Sequence, residues 1–144
     1  MKIVTDKEGE KPLVWQWLNQ RTNLPWSTDL RTIGLLRDDF TFAAAVGYNS
    51  WVGDSCFIHM AFDTPRSMTR ELIREAFSWP FEKVSVIYGL TPITKEHVLA
   101  FNRRMGFREL HRTDHFVLQE MRVEDCRWIK ESEHGRQRIS TRST

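Results

Sequence analysis

Residues 83–107, KVSVIYGLTPITKEHVLAFNRRMGF, decide the fold. Val84, Ser85, Val86, Ile87 and Tyr88 form a short β-branched and aromatic run, which suits a buried strand. Gly89 is expected to end that strand, and Thr91-Pro92 to punctuate it, since proline cannot donate to a sheet ladder. A helical period follows. Val98, Leu99, Phe101, Asn102 and Met105 crowd one side, with Thr94 as the expected N-cap and His97 three residues on. Gly106 stands where a helix ends in a left-handed residue, and Phe107 opens the next apolar stretch. The unit reads as strand, proline turn, helix, Gly-Phe, strand.

Working outward, residues 56–62 predict a strand apolar on both faces apart from His59, which places it centrally in a sheet. Between it and residues 84–88 lies an amphipathic helix. Met68, Leu72, Ile73, Ala76 and Phe77 make its apolar stripe, Arg70, Glu71, Arg74 and Glu75 face out, and Pro80 is expected to stop it. Upstream, residues 1–5 read as an edge strand. Pro12 opens a helix with Leu13, Val14, Trp17 and Leu18 at helical spacing. Residues 31–37 and 40–48 read as a hairpin joined at Asp38-Asp39, and residues 49–54 as a second turn. Downstream, residues 107–112 and 115–121 are two strands separated by Thr113-Asp114. The order is β, α, β, β, β, α, β, α, β, β. It predicts one α/β domain over residues 1–130, a twisted mixed sheet flanked by helices on both faces. Strands 56–62 and 84–88 should lie adjacent and parallel. Ile58, Met60, Leu72, Phe77, Val86, Leu99 and Phe107 are the expected core. Residues 131–144 turn polar and charged, and predict a flexible or partner-docked tail.

Composition bounds the function. A chain of 144 residues buries about two-thirds of its unfolded surface, and six tryptophans and nine phenylalanines furnish the core. A net charge of +2 is too small to imply nucleic acid as a partner by itself. No apolar run reaches membrane-spanning length, and no signal peptide is visible. Cys56 and Cys126 stand alone in apolar segments, so they read as packed free thiols, which fits a reducing cytoplasm. Trp15, Trp17 and Trp26 could stack bases, but Trp17 belongs to the helical stripe and core packing is the simpler reading. His111 and His115 flank a turn and are read as exposed rather than as metal ligands.

The candidate chemistry lies in the loop before the Met68 helix. A helix N-terminus presents unpaired N–H groups and a positive dipole end, so Arg66 and Arg70 there could receive a pyrophosphate. The bland alternative is a solvated, basic helix start.

Over residues 31–121 the element order, together with Met105-Gly106-Phe107 at the end of the later helix, resembles the GNAT N-acetyltransferase superfamily. Residues 64–70, followed by Glu71, are similar to that family's pyrophosphate loop as found in divergent members encoded by bacteriophages and prophages. Cys126-Arg127-Trp128 has a similar counterpart there. The resemblance implies transfer of acetyl from acetyl-CoA to an amine of a small molecule or a protein. It implies CoA contacts from Met60, Ala61, Phe62, Arg66, Ser67, Met68, Thr69, Arg70, Lys95 and Asn102. His59 and Tyr88 become the candidate base and acid, each with core packing as the plainer alternative.

Three departures stand out. The loop carries Ser67, Met68 and Thr69 where the family usually has small, glycine-rich positions. Lys95 falls where an asparagine commonly opens the later helix. Asn102 replaces the tyrosine that often protonates the leaving thiolate, and an amide cannot act as a general acid. A rival expectation is therefore a GNAT-like module without catalysis, serving binding or assembly, including in a phage particle or as a homo-oligomer.

Overall fold

The computed structural model describes residues 1–10 and 12–129, so the expected tail over residues 131–144 lies outside the described residues. One seven-stranded sheet is built from β1 (Lys2–Asp6), β2 (Arg31–Leu36), β3 (Phe42–Val52), β4 (Ser55–Phe62), β5 (Val86–Pro92), β6 (Arg108–Arg112) and β7 (Phe116–Arg122). Its spatial order is β1-β2-β3-β4-β5-β7-β6. Every neighbouring pair is antiparallel except β4 and β5, which run parallel as the sequence predicts.

The helices α1 (Leu13–Thr22), α2 (Arg70–Phe81) and α3 (Glu96–Met105) divide between the two faces. Alternation along β3 sends Ala45 and Gly47 one way and Ala44, Val46 and Tyr48 the other. α1 covers the first face, where Val14 and Leu18 pack with Leu24, Leu30 and Ala45. Gly47 permits that close approach, because a Cβ there would stand 3.1 Å from Leu18 Cδ1 and 3.2 Å from Leu24 Cδ2. α2 and α3 cover the second face through Leu72, Ile73, Ala76, Phe77 and Phe101, against Ile33, Val46, Tyr48, Ile58 and Ile87. Of the expected core, Met60 is only half-buried; the other six are buried.

Several boundaries differ from the sequence reading, each for a local reason. The β2–β3 connection is a loop over residues 37–41. Asp39 Oδ1 accepts from the Thr41 N–H (3.1 Å), and Phe40 sits at φ +66°, exposed rather than in a strand. β3 runs on to Val52, and the turn is only Gly53-Asp54. Met68 precedes α2, whose first residue is Arg70; residues 65–67 form a separate 3-10 turn. Pro80 lies inside the last turn of α2 instead of ending it. Proline has no N–H, so the Ala76 carbonyl loses its donor four residues on. The Tyr48 hydroxyl donates to that carbonyl at 2.5 Å and takes the missing donor's place.

β5 passes through Gly89 and continues to Pro92, because β7 pairs along its whole length from Val86↔Arg122 to Pro92↔Phe116. At α3 the N-cap is Lys95, without a side-chain cap, and not Thr94. The Lys95 N–H closes a turn onto the Pro92 carbonyl (3.0 Å), which sets Thr94 one residue too early. Gly106 holds φ +120° and ends α3, as the sequence predicts.

Candidate active site

The parallel pairing of β4 and β5 covers only Ser55–Phe57 against Val86–Tyr88. Beyond it β5 is held by β7 while β4 stays with β3, so the strands diverge. The β5-facing N–H and C=O groups of residues 58–62 are left without a strand partner. α3 closes the wedge from the second face, and Thr22 at the end of α1 borders it. The cleft holds about 160 Å³ and is lined by His59, Met60, Phe62, Gly89, Leu90, Thr91, Lys95, Phe101 and Asn102, among others.

Sequence-predicted residues divide sharply around this cleft. His59, Met60, Phe62, Lys95 and Asn102 line it. Ala61 does not: it packs against the α1 cluster on the first face. Tyr88 lies outside the lining, on the last paired rung, where its ring stacks on Phe57 with centroids 5.5 Å apart. The structure thus brings His59 to the cleft without the phenol expected to serve as its acid.

The loop over residues 64–70 also departs from a phosphate cradle. The Ser67 N–H donates to the Thr64 carbonyl (2.9 Å), Met68 to Pro65 (3.2 Å), and Thr69 to Ser67 (3.0 Å). Thr69 Oγ1 then caps α2 by accepting from the Leu72 N–H (3.2 Å). The N–H groups of Arg70 and Glu71, ahead of the first backbone bond of α2 from Ile73 to Thr69, take no backbone partner. An anion at this terminus would meet those two amides, and not the Ser67–Met68 backbone; Arg70 lines a groove along α2 with Ile3, Glu71, Arg74, Glu75 and Ser78.

His59 is electrically quiet. Burial pushes its pKa down to about 4, so the imidazole is neutral at working pH. Its Nε2 lies 2.8 Å from Asn49 Oδ1. Asn102 is buried and donates through Nδ2 to Gln119 Oε1 (3.0 Å), while Asn102 Oδ1 and Gln119 Nε2 have no partner. Gly89 forms part of the cleft floor; a Cβ there would meet only Asn102 Nδ2, at 3.9 Å. The wedge therefore suits a narrow chain bearing amides, the chemistry of the pantetheine arm: unpaired strand amides on the β4 side, and on the β5 side a glycine that leaves room among Leu90, Thr91 and Pro92.

Sequence reasoning missed Thr22, Gly89, Asn49 and Gln119. Only Gly89 carried a signal, since a glycine inside a strand pattern marks close approach by another chain or ligand. Among the described residues, no cluster of three or more His, Cys, Asp or Glu is placed to hold a metal. No helix among them is long and apolar enough to cross a membrane.

No family model and no curated protein matches the sequence. Solved structures do match. A variant of the spermidine N-acetyltransferase SpeG from Vibrio cholerae superposes with TM-score 0.65 at 11% identity, covering 85% of this chain and 95% of that one. The N-acetyltransferase PseH from Campylobacter jejuni gives 0.61 at 12% identity, covering 84% and 96%. At these identities the likeness is one of fold. The fold is that of the GNAT acetyltransferases.

Proposed function

We propose that this chain is an N-acetyltransferase that moves an acetyl group from acetyl-CoA to the amine of a small molecule or of a protein. The observation that carries the reading is the wedge between β4 and β5, opened in a fold shared with N-acetyltransferases and floored by Gly89. Acetyl-CoA, as substrate, supplies an acyl group activated as a thioester. Met60, Phe62, Phe101 and the β5-facing amides of residues 58–62 would hold its arm, and Arg66 and Arg70 would face its phosphates. His59 takes the proton that the amine gives up as its nitrogen bonds the acyl carbon. With Asn102 unable to donate a proton as an acid, the departing thiolate takes its proton from water, close to the Lys95 ammonium.

The electrostatics narrow the acceptor. An imidazole with a pKa of about 4 cannot strip an ammonium ion, so the amine must arrive neutral. The described lining contains no carboxylate, and its one fixed charge is Lys95. Both features disfavour a polyamine, despite the spermidine enzymes among the structural neighbours. They favour amines of low pKa such as α-amino groups, which titrate near 8. A thiol-release assay with acetyl-CoA tests this. Turnover of an α-amino or amino-sugar acceptor well above that of spermidine is expected; no thiol release from any amine refutes the enzyme.

A second reading keeps the fold and drops the chemistry: a binding or assembly module, including one in a phage particle. Asn102 in place of an acid and the amides consumed by the 65–67 turn favour it. Failure to bind acetyl-CoA at millimolar concentration would select it.

A further inference from the structure

We propose that Asn49 is a positioning residue for His59, fixing the imidazole as its Nε2–H tautomer so that Nδ1 carries the basic lone pair. The proposal rests on the reading of His59 as the proton acceptor.

Asn49 Oδ1 is a carbonyl oxygen and can only accept, so the His59 nitrogen 2.8 Å away must carry the hydrogen. The contact is a designed diagonal rather than a direct pair. Gly47 stands opposite His59 and Asn49 opposite Phe57, so the imidazole reaches along its own face to the next rung.

The backbone beyond Asn49 is built to support that reach. The β3–β4 register breaks between Asn49 and Val52, and Ser50 adopts φ +54°, a left-handed conformation that strains a residue with a side chain. Asp29 holds the irregularity from outside the sheet. Its Oδ2 accepts from the Trp51 N–H (3.2 Å), its backbone carbonyl accepts from Trp51 Nε1 (2.9 Å), and Ser27 Oγ donates to its Oδ1 (2.7 Å). Bulges bend a strand and re-aim the side chain beside them, and they recur next to active sites. Here the irregularity begins immediately after Asn49, the last regularly paired residue before the shift.

The charged surroundings leave the tautomer to Asn49. β3 presents Gly47 and Asn49 to His59, β5 presents Gly89 and Leu90, α1 contributes Thr22, and α3 contributes Lys95, the only other titratable group of the described lining. Asp29 stands behind the bulge with its carboxylate held by Trp51 and Ser27. As the amine nitrogen bonds the acyl carbon and the carbon–sulfur bond breaks, the amine proton passes to Nδ1, and the thiolate is protonated by water.

The test pairs imidazole nitrogen NMR with the thiol-release assay on Asn49→Leu, Asn49→Gln and Asn49→Asp. In the parent, the nitrogen shifts should report a protonated Nε2. Asn49→Leu should mix the tautomers and lower kcat at least tenfold with little change in the KM for acetyl-CoA. Asn49→Gln should recover part of the loss. Asn49→Asp keeps the shape and adds a carboxylate beside Nε2, so the His59 pKa and the acid limb of the kcat profile should rise together by about 1–3 units. Unchanged nitrogen shifts in Asn49→Leu overturn the proposal, as does a tautomer change without loss of kcat. A parent that releases no thiol with any amine fails differently: it removes the acetyltransferase reading, and the role of Asn49 with it.

Discussion

A histidine surrounded by apolar strand residues is ambiguous in sequence, and at His59 the structure supplies the physical consequence. Burial holds its folded pKa at about 4 against an ordinary value of 6.5, so the unfolded chain binds the extra proton between those two values. Stability associated with the neutral ring is therefore complete above about pH 6.5 and is lost as pH falls toward 4. Between pH 7 and 5 the loss should be about 2 kcal/mol. Urea denaturation at both pH values measures it, and His59→Gln should remove most of the difference. An equal difference in that variant would mean that another group titrates. The carboxylates of Asp29 and Glu120 do not compete in this window. Burial works to raise both, but the hydrogen bonds of Ser27, Trp51 and Ser50 at Asp29, and the arginines 108 and 122 at Glu120, leave them below their ordinary values. Which His would be drawn in among apolar neighbours was legible in the sequence, because residues 56–62 carry apolar side chains on both faces; that it ends half-buried at a cleft was not. Its partner Asn49 was not, since a side chain aimed along a bulge leaves no periodic signal.

At the scale of elements, sequence read the helices by their faces well and their ends poorly. Leu72, Ile73, Ala76 and Phe77 were found from spacing alone, whereas Pro80 was expected to stop α2 and does not. The reason is a contact across 28 residues that local chemistry cannot anticipate: the Tyr48 hydroxyl replaces the N–H that Pro80 lacks. Tyr48→Phe should therefore cost about 1–3 kcal/mol, the range for orphaning a buried acceptor. Restoring the donor with Pro80→Ala should recover much of that loss in the double variant. A double-mutant cycle by chemical denaturation decides it, and strict additivity would show that the two residues do not share the Ala76 carbonyl. The same limit applies at the β4–β5 divergence. Both strands and their parallel sense were legible, but where they part depends on β7 holding β5 out to Pro92. That pairing also hid the continuation of β5 beyond Gly89.

For the whole molecule, the fold and the cleft are coupled. This sheet opens at its one parallel junction, where β3 holds β4 and β7 holds β5, and α3 closes the opening on one side. The phosphate end of the site should be weaker than a glycine-rich loop would make it, because Ser67, Met68 and Thr69 spend their amides on the 3-10 turn. What remains is Arg66, Arg70 and two N–H groups without a backbone partner. Arg70→Ala should thus weaken CoA by roughly tenfold, the worth of one charge-assisted hydrogen bond at the surface, and leave pantetheine unaffected. Equal losses for both ligands would place the phosphates elsewhere.

The central claim is that the wedge beside Gly89 receives acetyl-CoA, and one comparison tests it most directly: calorimetric titration of acetyl-CoA into the parent and into Gly89→Val. Gly89 has ordinary strand pairing, and a Cβ there meets nothing nearer than Asn102 Nδ2 at 3.9 Å, so the variant should fold. Its branched side chain fills the cleft floor. The parent should bind acetyl-CoA, and the folded variant should bind it at least tenfold more weakly. Equal binding by the two proteins would contradict the account, because the cofactor arm would then lie outside the wedge between β4 and β5.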